Sequence, residues 1–328
     1  MQKIEKLIWG IIGVGNVCEK KSAPGLQKVE HSEVKSVMRR NVGKAADFAQ
    51  RHKVPNFTGN ADDVLNDPEI NAVYIATPPS SHTELALKAA KAGKITYVEK
   101  PMANSYKECQ QMVNAFKEAE LPLFVAYYRR ALPNFIKIKQ LVDEGVIGVV
   151  RTVNVQFYQS LKKVDLNNDP TNWRVNPDIA GGGYFNDLAS HQLDYLDYLL
   201  GPIKTATGIK ANQAGIYQAE DIVTANWVFE NGIIGNGTWC FSTAEIARKD
   251  YTLIVGDKGT IEYETFGNGD VILKTNENDE QVFHFQMPEH IQQPLIQQMV
   301  DELRGEGKCP SSGVSAARTN YVMDLILK

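Results

Sequence analysis

The stretch Leu7-Ile-Trp-Gly10-Ile-Ile-Gly13-Val14-Gly15-Asn16-Val17-Cys18 decides the fold class of this chain. Its apolar half reads as a buried strand. The glycines stand between that strand and a helix-like stretch, the context a Gly-x-Gly-x-x-Gly turn needs before it means dinucleotide binding. Gly13 permits the tight turn, and Gly15 lets the backbone come close to a pyrophosphate at the helix N-terminus. Gly13, Gly15, Asn16 and Val17 are therefore the candidate cofactor contacts of this turn. The third small position holds Cys18 in place of Gly or Ala, still small enough for close helix packing. On these residues alone, a purely structural turn is the competing reading.

Working outward, apolar runs at residues 7–12, 34–38, 72–76, 95–98 and 123–128 alternate with helix-like stretches at 43–52, 82–92 and 105–118. Such alternation predicts a doubly wound parallel sheet of the Rossmann type. Ligands of such a sheet sit outside the carboxyl ends of its strands, so the residues leaving each strand are the ones to inspect. The second strand ends in Met38-Arg39-Arg40, where an NAD site would carry an acidic residue for the ribose hydroxyls. Arginines there suit a 2′-phosphate, which favours NADP(H) with NAD as the alternative; a solvated surface pair is the bland reading. Thr77-Pro78-Pro79 leaves the third run in a stiff loop able to border a nicotinamide. His82, just beyond it, either touches the cofactor or serves at the helix start. Glu99-Lys100-Pro101 ends the fourth run, and Lys100 faces the cofactor crevice as a candidate for chemistry.

From residue 149 onward the pattern changes to strands at 149–158, 203–211, 221–229, 233–241, 251–255, 260–263 and 271–274. Asn231-Gly232 is a strong hairpin signal. Val223, Ala225, Trp227 and Phe229 share one face, as in a half-buried strand. The expectation is an α+β domain with a large, mostly antiparallel open sheet, divided from the first near Ala126: 1–125 binds nucleotide, and 126–328 binds substrate and oligomerises. Helices on one side would leave the other face of that sheet to a homodimer or homotetramer partner.

Gly181-Gly182-Gly183 opens a helix that Gly201 and Pro202 close. At helical spacing Phe185, Leu188, Leu196, Leu199 and Leu200 form a buried face, with Tyr184, Asp187, His191, Asp194 and Tyr198 opposite. Asp187 and His191 are i,i+4 neighbours, and a carboxylate beside an imidazole suits proton exchange near neutral pH. An ordinary solvated helix face is the competing reading. The three glycines would let the backbone approach a ligand closely.

Bulk properties narrow the partners. The 328 residues suffice for two cores, and the net charge of −4, with both signs interspersed, leaves no basic footprint for nucleic acid or a membrane surface. Cys18, Cys109, Cys240 and Cys309 lack metal-ligand spacing and form no disulfide framework, so no metal is expected. With no signal-like leader and no apolar span, the default is a cytoplasmic protein acting on a small molecule.

Together, the glycine turn, Thr77-Pro78-Pro79, Glu99-Lys100-Pro101, Tyr127-Tyr128-Arg129-Arg130, Trp173-Arg174 and Gly181-Gly182-Gly183 with Asp187-x-x-x-His191 resemble the Gfo/Idh/MocA oxidoreductase family along nearly the whole chain. The resemblance implies the two-domain fold just described and assembly through the second sheet. It also implies hydride transfer between nicotinamide and a sugar, polyol or related compound. By the same resemblance Lys100 contacts cofactor and substrate, and Asp187 and His191 form the acid/base pair. Trp173 and Arg174 lie near the nicotinamide, Arg174 also near the substrate, and Tyr128 and Arg129 border the substrate. Thr77, Pro78, His82 and Glu99 complete the cofactor set, and the loop 165–172 shapes the pocket. Competing functions are a redox-neutral glycosidase that retains its cofactor and a non-catalytic NADP(H)-sensing regulator.

Overall fold

The computed structural model describes residues 3–167, 172–277 and 280–328. The chain divides into two compact units, Met1–Ala131 with Pro288–Ala317, and Leu132–Met287 with Arg318–Lys328.

The first unit is built on β1 (Leu7–Ile12), β2 (Ser32–Met38), β3 (Asn56–Thr58), β4 (Ala72–Ile75), β5 (Ile95–Val98) and β6 (Leu123–Val125). They pair in the order β3-β2-β1-β4-β5-β6, every pair parallel. All four residues of both β4 and β5 are buried, as strands covered on both faces must be. The strand order reverses at β1, which opens a crevice at the carboxyl ends of β1 and β4. Flanking helices begin at side-chain caps: Asn41 accepts from the Lys44 N–H, and Ser105 forms a capping box with Glu108. β6 stops at Val125 instead of running on to Tyr128, and Tyr128–Ala131 forms a 3₁₀ turn.

A single cut near Ala126 does not describe this packing, because Pro288–Ala317 returns to the first unit. The helix Gln293–Arg304 buries Leu295, Ile296, Met299, Val300 and Leu303 along one stripe. Ser311 pairs with the edge strand, its hydroxyl donating to the Val125 carbonyl at 2.7 Å and its own carbonyl accepting from Val125 N–H at 3.3 Å.

The second unit is built on β7 (Val150–Tyr158), β8 (Ile203–Ala211), β9 (Ile222–Phe229), β10 (Ile234–Cys240), β11 (Lys249–Gly256), β12 (Gly259–Tyr263), β13 (Val271–Thr275) and β14 (Gln281–Phe283). The order is β14-β13-β12-β11-β7-β10-β9-β8, and only the β7–β10 pair is parallel among the described residues. The inward residues of β9, Val223, Ala225, Trp227 and Phe229, are all buried. Helices cover that face: Tyr195 donates to the Phe135 carbonyl at 2.6 Å, and both rings meet Tyr263 edge-on. On the opposite face the central strands present Asn154, Gln156, Thr224, Asn226, Asn236 and Thr238, half-buried or exposed and uncharged.

The helix expected after Gly183 is present, as a π turn Phe185–Ala189 running into the α-helix Ser190–Leu200. Much of its polar side, however, is buried, with Asp187 and Tyr198 half-buried. His191, Asp194 and Asp197 are buried, since the unit's last segment brings Thr319 to Asp194 at 3.1 Å and Arg318 to Asp197 at 2.6 Å. The glycines before it serve packing within the protein. A Cβ on Gly182 would stand 2.6 Å from both Asn186 Oδ1 and Leu327 Cδ1, and one on Gly183 would stand 2.5 Å from the Ala219 Cβ.

Candidate functional site

At the end of β1, Gly13 adopts φ +98°, a conformation that L side chains rarely take, and an added Cβ would lie 2.6 Å from Thr77 Cγ2. Its N–H and that of Val14 both donate to the Met38 carbonyl, at 2.9 and 3.2 Å. The glycine turn is thereby tied to the ends of β2 and β4 together. Gly15 differs: a Cβ there would meet nothing closer than the Gly13 carbonyl oxygen at 3.9 Å. The protein itself does not require glycine at that position, so the space over it suits a phosphate group approaching the backbone. Asn16 is exposed and Val17 half-buried at the start of the helix that follows. Cys18 is fully buried against this turn, and burial pushes its thiol up to about 12, so it packs as a small apolar group.

Arg39 is half-buried and Arg40 exposed at the end of β2. Among the described residues neither guanidinium joins an ion pair, and no carboxylate occupies the strand end. Thr77 and Pro78 border the same crevice, where Ser81 Oγ donates to Thr77 Oγ1 at 2.8 Å and lies 3.0 Å from the Pro78 carbonyl. His82, expected as a cofactor contact, has no exposed surface and sits beneath this loop.

β5 is followed at once by Glu99, which is buried and accepts from Tyr74 Oη at 2.5 Å, from Gln292 Nε2 at 2.6 Å and from the Lys100 N–H at 3.2 Å. Tyr97 Oη donates to the other end of the Gln292 amide at 3.0 Å. Burial first, and then the Glu99 carboxylate, hold Tyr74 and Tyr97 far above the ordinary phenol range, so both remain neutral donors. Glu99 is thus a fixed support beneath Lys100 instead of a group presented to a ligand. Lys100 itself is half-buried at the strand's carboxyl end. Tyr128 and Arg129 are buried, with the guanidinium 5.0 Å from the Tyr128 ring centroid.

In the second unit, Arg174 Nε donates to Asp187 Oδ2 at 3.0 Å, and the guanidinium lies 4.5 Å from the Trp173 ring centroid. The structure thus brings Trp173, Arg174 and Asp187 together as one group. His191 stands one turn further along, buried, with Phe266 edge-on at 5.7 Å. Phe266 also lines an open cleft of about 430 Å³ with Phe157, Tyr158, Arg248, Asp250 and Tyr251.

Sequence reasoning named Asp165 only as the start of a pocket-shaping loop and passed over the cluster around it. Asp165 is buried and accepts from the Lys162 N–H at 2.8 Å, from Asn172 Nδ2 at 2.7 Å and from Tyr184 Oη at 2.7 Å. The Lys162 ammonium lies 3.9 Å from the Tyr184 ring centroid. Burial lowers its pKa, and the charges of Asp165 and Asp187 oppose that shift. The only signal for this group was Lys162-x-x-Asp165 at a helix start. Of the loop 165–172 expected to shape a pocket, residues 168–171 lie outside the described residues.

Among the described residues no helix is long and apolar enough to cross a membrane. Residues 7–127 match the model of an oxidoreductase family with an NAD-binding Rossmann fold, and residues 135–262 match the GFO/IDH/MocA C-terminal domain. An oxidoreductase of Formosa agariphila is 40% identical over 322 residues, 98% of each chain. A levoglucosan dehydrogenase of Pseudarthrobacter phenanthrenivorans is 33% identical over 175 residues, 53% of this chain and 44% of that one. Among solved structures, a levoglucosan dehydrogenase in complex with NADH and levoglucosan has a TM-score of 0.88 at 22% identity, covering 98% of this chain and 96% of that chain. That last likeness is one of fold.

Proposed function

Since the chain belongs to the Gfo/Idh/MocA oxidoreductase family, NAD(P)-dependent enzymes acting on hydroxyl groups of sugars, polyols and related compounds, we propose that it works on a sugar or polyol with NADP(H) as the preferred nucleotide. The observation that carries this reading is the cradle of the first unit. Gly13 is locked against Thr77 while the space over Gly15 is left open, and Lys100 ends the strand beyond. Gly13, Gly15, Asn16 and Val17 would hold the pyrophosphate. Arg39 and Arg40 would hold a 2′-phosphate, and Thr77 and Pro78 would border the ring.

The bound nicotinamide supplies the hydride acceptor or donor. The protein's own part is charge and proton handling. The Lys100 ammonium donates a hydrogen bond to the substrate oxygen and favours the electron-rich form of that oxygen during reaction. His191 takes the hydroxyl proton in oxidation and returns it in reduction. Asp187, already engaged by Arg174, orients the acid/base group and meets its charge. Arg174, Tyr128 and Arg129 bind the remaining polar groups of the substrate.

The central strands of the second sheet present an outer face free of charges, whose amides and hydroxyls can exchange hydrogen bonds with a second copy, and this supports homo-oligomerisation. Light scattering should give a dimer or tetramer, and Asn226→Lys, which puts a charge in mid-face, should shift it towards monomer.

The deciding experiment is a fluorescence titration with NADPH and NADH, followed by aldoses, ketoses, inositols and dihydrodiols watched at the nicotinamide absorbance band. Tighter NADPH binding and turnover of one panel class are expected. A preference for NADH rejects the role given to Arg39 and Arg40, and product formed without change at the nicotinamide band rejects net redox turnover.

A further inference from the structure

His82 was expected to reach the cofactor, but its ring is wholly inside the first unit. Nε2 lies 2.8 Å from the Thr77 carbonyl oxygen, and Nδ1 lies 3.1 Å from that of Pro101 and 3.3 Å from that of Met102. Every one of these partners can only accept. One imidazole therefore joins the loop leaving β4 to the segment directly after Lys100. Donating on both sides at once requires the imidazolium. Burial is the larger influence and lowers the His82 pKa, against the Thr77 contact, the Glu99 charge and the Met102 and Pro101 contacts, all of which favour that form. On the other side of Lys100, Glu99 receives the lysine's own N–H and is itself held by Tyr74 and Gln292.

Partners for buried polar groups are needed in any fold. What sets this arrangement apart is where the partners lie. His82's partners are all backbone carbonyls just past the carboxyl ends of β4 and β5, the ligand-binding edge of the sheet, and with the Lys100 N–H held by Glu99 they flank that lysine.

We propose that His82 and Glu99 are positioning residues that clamp the backbone on both sides of Lys100 and fix it to the Thr77-Pro78 loop. The loop beside the nicotinamide and the cation that meets the substrate then keep one spacing as a single rigid body. This rests on the reading of Lys100 as a catalytic group. The clamp itself can be tested without that reading.

Hydrogen exchange read by mass spectrometry on the full chain, with nucleotide Kd and steady-state kinetics alongside, tests it. In His82→Gln, whose amide cannot reach both sides, peptides over 76–82 and 99–104 should lose protection together, while the helix 106–118 keeps its own. In Glu99→Gln the loss should be confined to 99–104. With a misplaced lysine, kcat should fall by roughly tenfold to a hundredfold in both variants, with nucleotide Kd changed by less than about threefold. Protection lost in neither segment, or in only one for His82→Gln, overturns the clamp. So does a kcat loss that a matching loss of nucleotide binding accounts for. Lys100→Ala separates the two claims. Turnover retained there removes the catalytic reading of Lys100, and the exchange data then decide the clamp alone.

Discussion

Lys100 and His191 are presented by opposite strategies. Lys100 leaves the end of a strand and is braced by groups beneath it, Glu99, His82, Tyr74 and Gln292, while its own side chain stays half-buried. His191 lies in a helix buried on nearly all sides, where Asp194 and Asp197 are taken up by Thr319 and Arg318. The strand-end group is placed by topology and then stiffened. The helical group is placed by being packed into a core. A site of the first kind shows itself in a short stretch of sequence, whereas one of the second kind depends on what arrives from far along the chain.

The largest effects should come from removing the two groups themselves. Lys100→Ala and His191→Ala should each reduce kcat by about a hundredfold to ten-thousandfold, with NADPH affinity nearly intact. If only one variant loses turnover, the two units do not share the chemistry, and a stopped-flow assay would show which one carries it. Next come the glycines. Gly13→Ala forces an L residue to φ +98° and against Thr77, which should cost about 1–3 kcal/mol in a denaturant melt. Gly15→Ala should leave the melt unchanged and weaken nucleotide binding; loss of stability there would mean the cradle is structural.

Smaller again, the double variant Arg39→Ala, Arg40→Ala should raise the Kd for NADPH by about tenfold or more and leave that for NADH unchanged. The smallest effect is on pH dependence, at an exposed ion pair of the first unit. Hydrogen bonds from Arg51, then from His52, hold the Glu19 carboxyl down at about 2 against an ordinary 4.5. Its folded pKa lies below its unfolded one, so the pair's contribution is present above pH 4.5 and is lost as pH falls towards 2. In Glu19→Gln the acid limb of a Tm-versus-pH curve should be shallower over that window.

How much of this could be read from sequence follows the same division. The parallel sheet was legible because β4 and β5 are apolar at every position, and the second sheet because β9 alternates strictly. β3 was not, since its three residues are exposed or half-buried and carry no such pattern. Gly13, Gly15, Arg39, Arg40 and Lys100 could be named from local spacing. Gln292 could not, because it supports Glu99 from 193 positions away. The burial on the polar side of the 185–200 helix and the close packing at Gly182 and Gly183 were hidden for the same reason. The contacts responsible come from residues 219, 318, 319 and 327. Asp165 could be read only as part of a pocket-shaping loop, and Lys162 not at all, because Tyr184, which joins them, comes from the separate segment after Gly183.

The return of Pro288–Ala317 to the first unit has a consequence for synthesis. Translation delivers the glycine turn and the lysine strand well before the amide that steadies Glu99 and the segment whose Ser311 pairs with β6. Until these emerge, the nascent N-terminal half exposes an unsealed apolar flank and a buried acid short of one donor. The first unit therefore starts early and matures only after the strands of the second unit have been made.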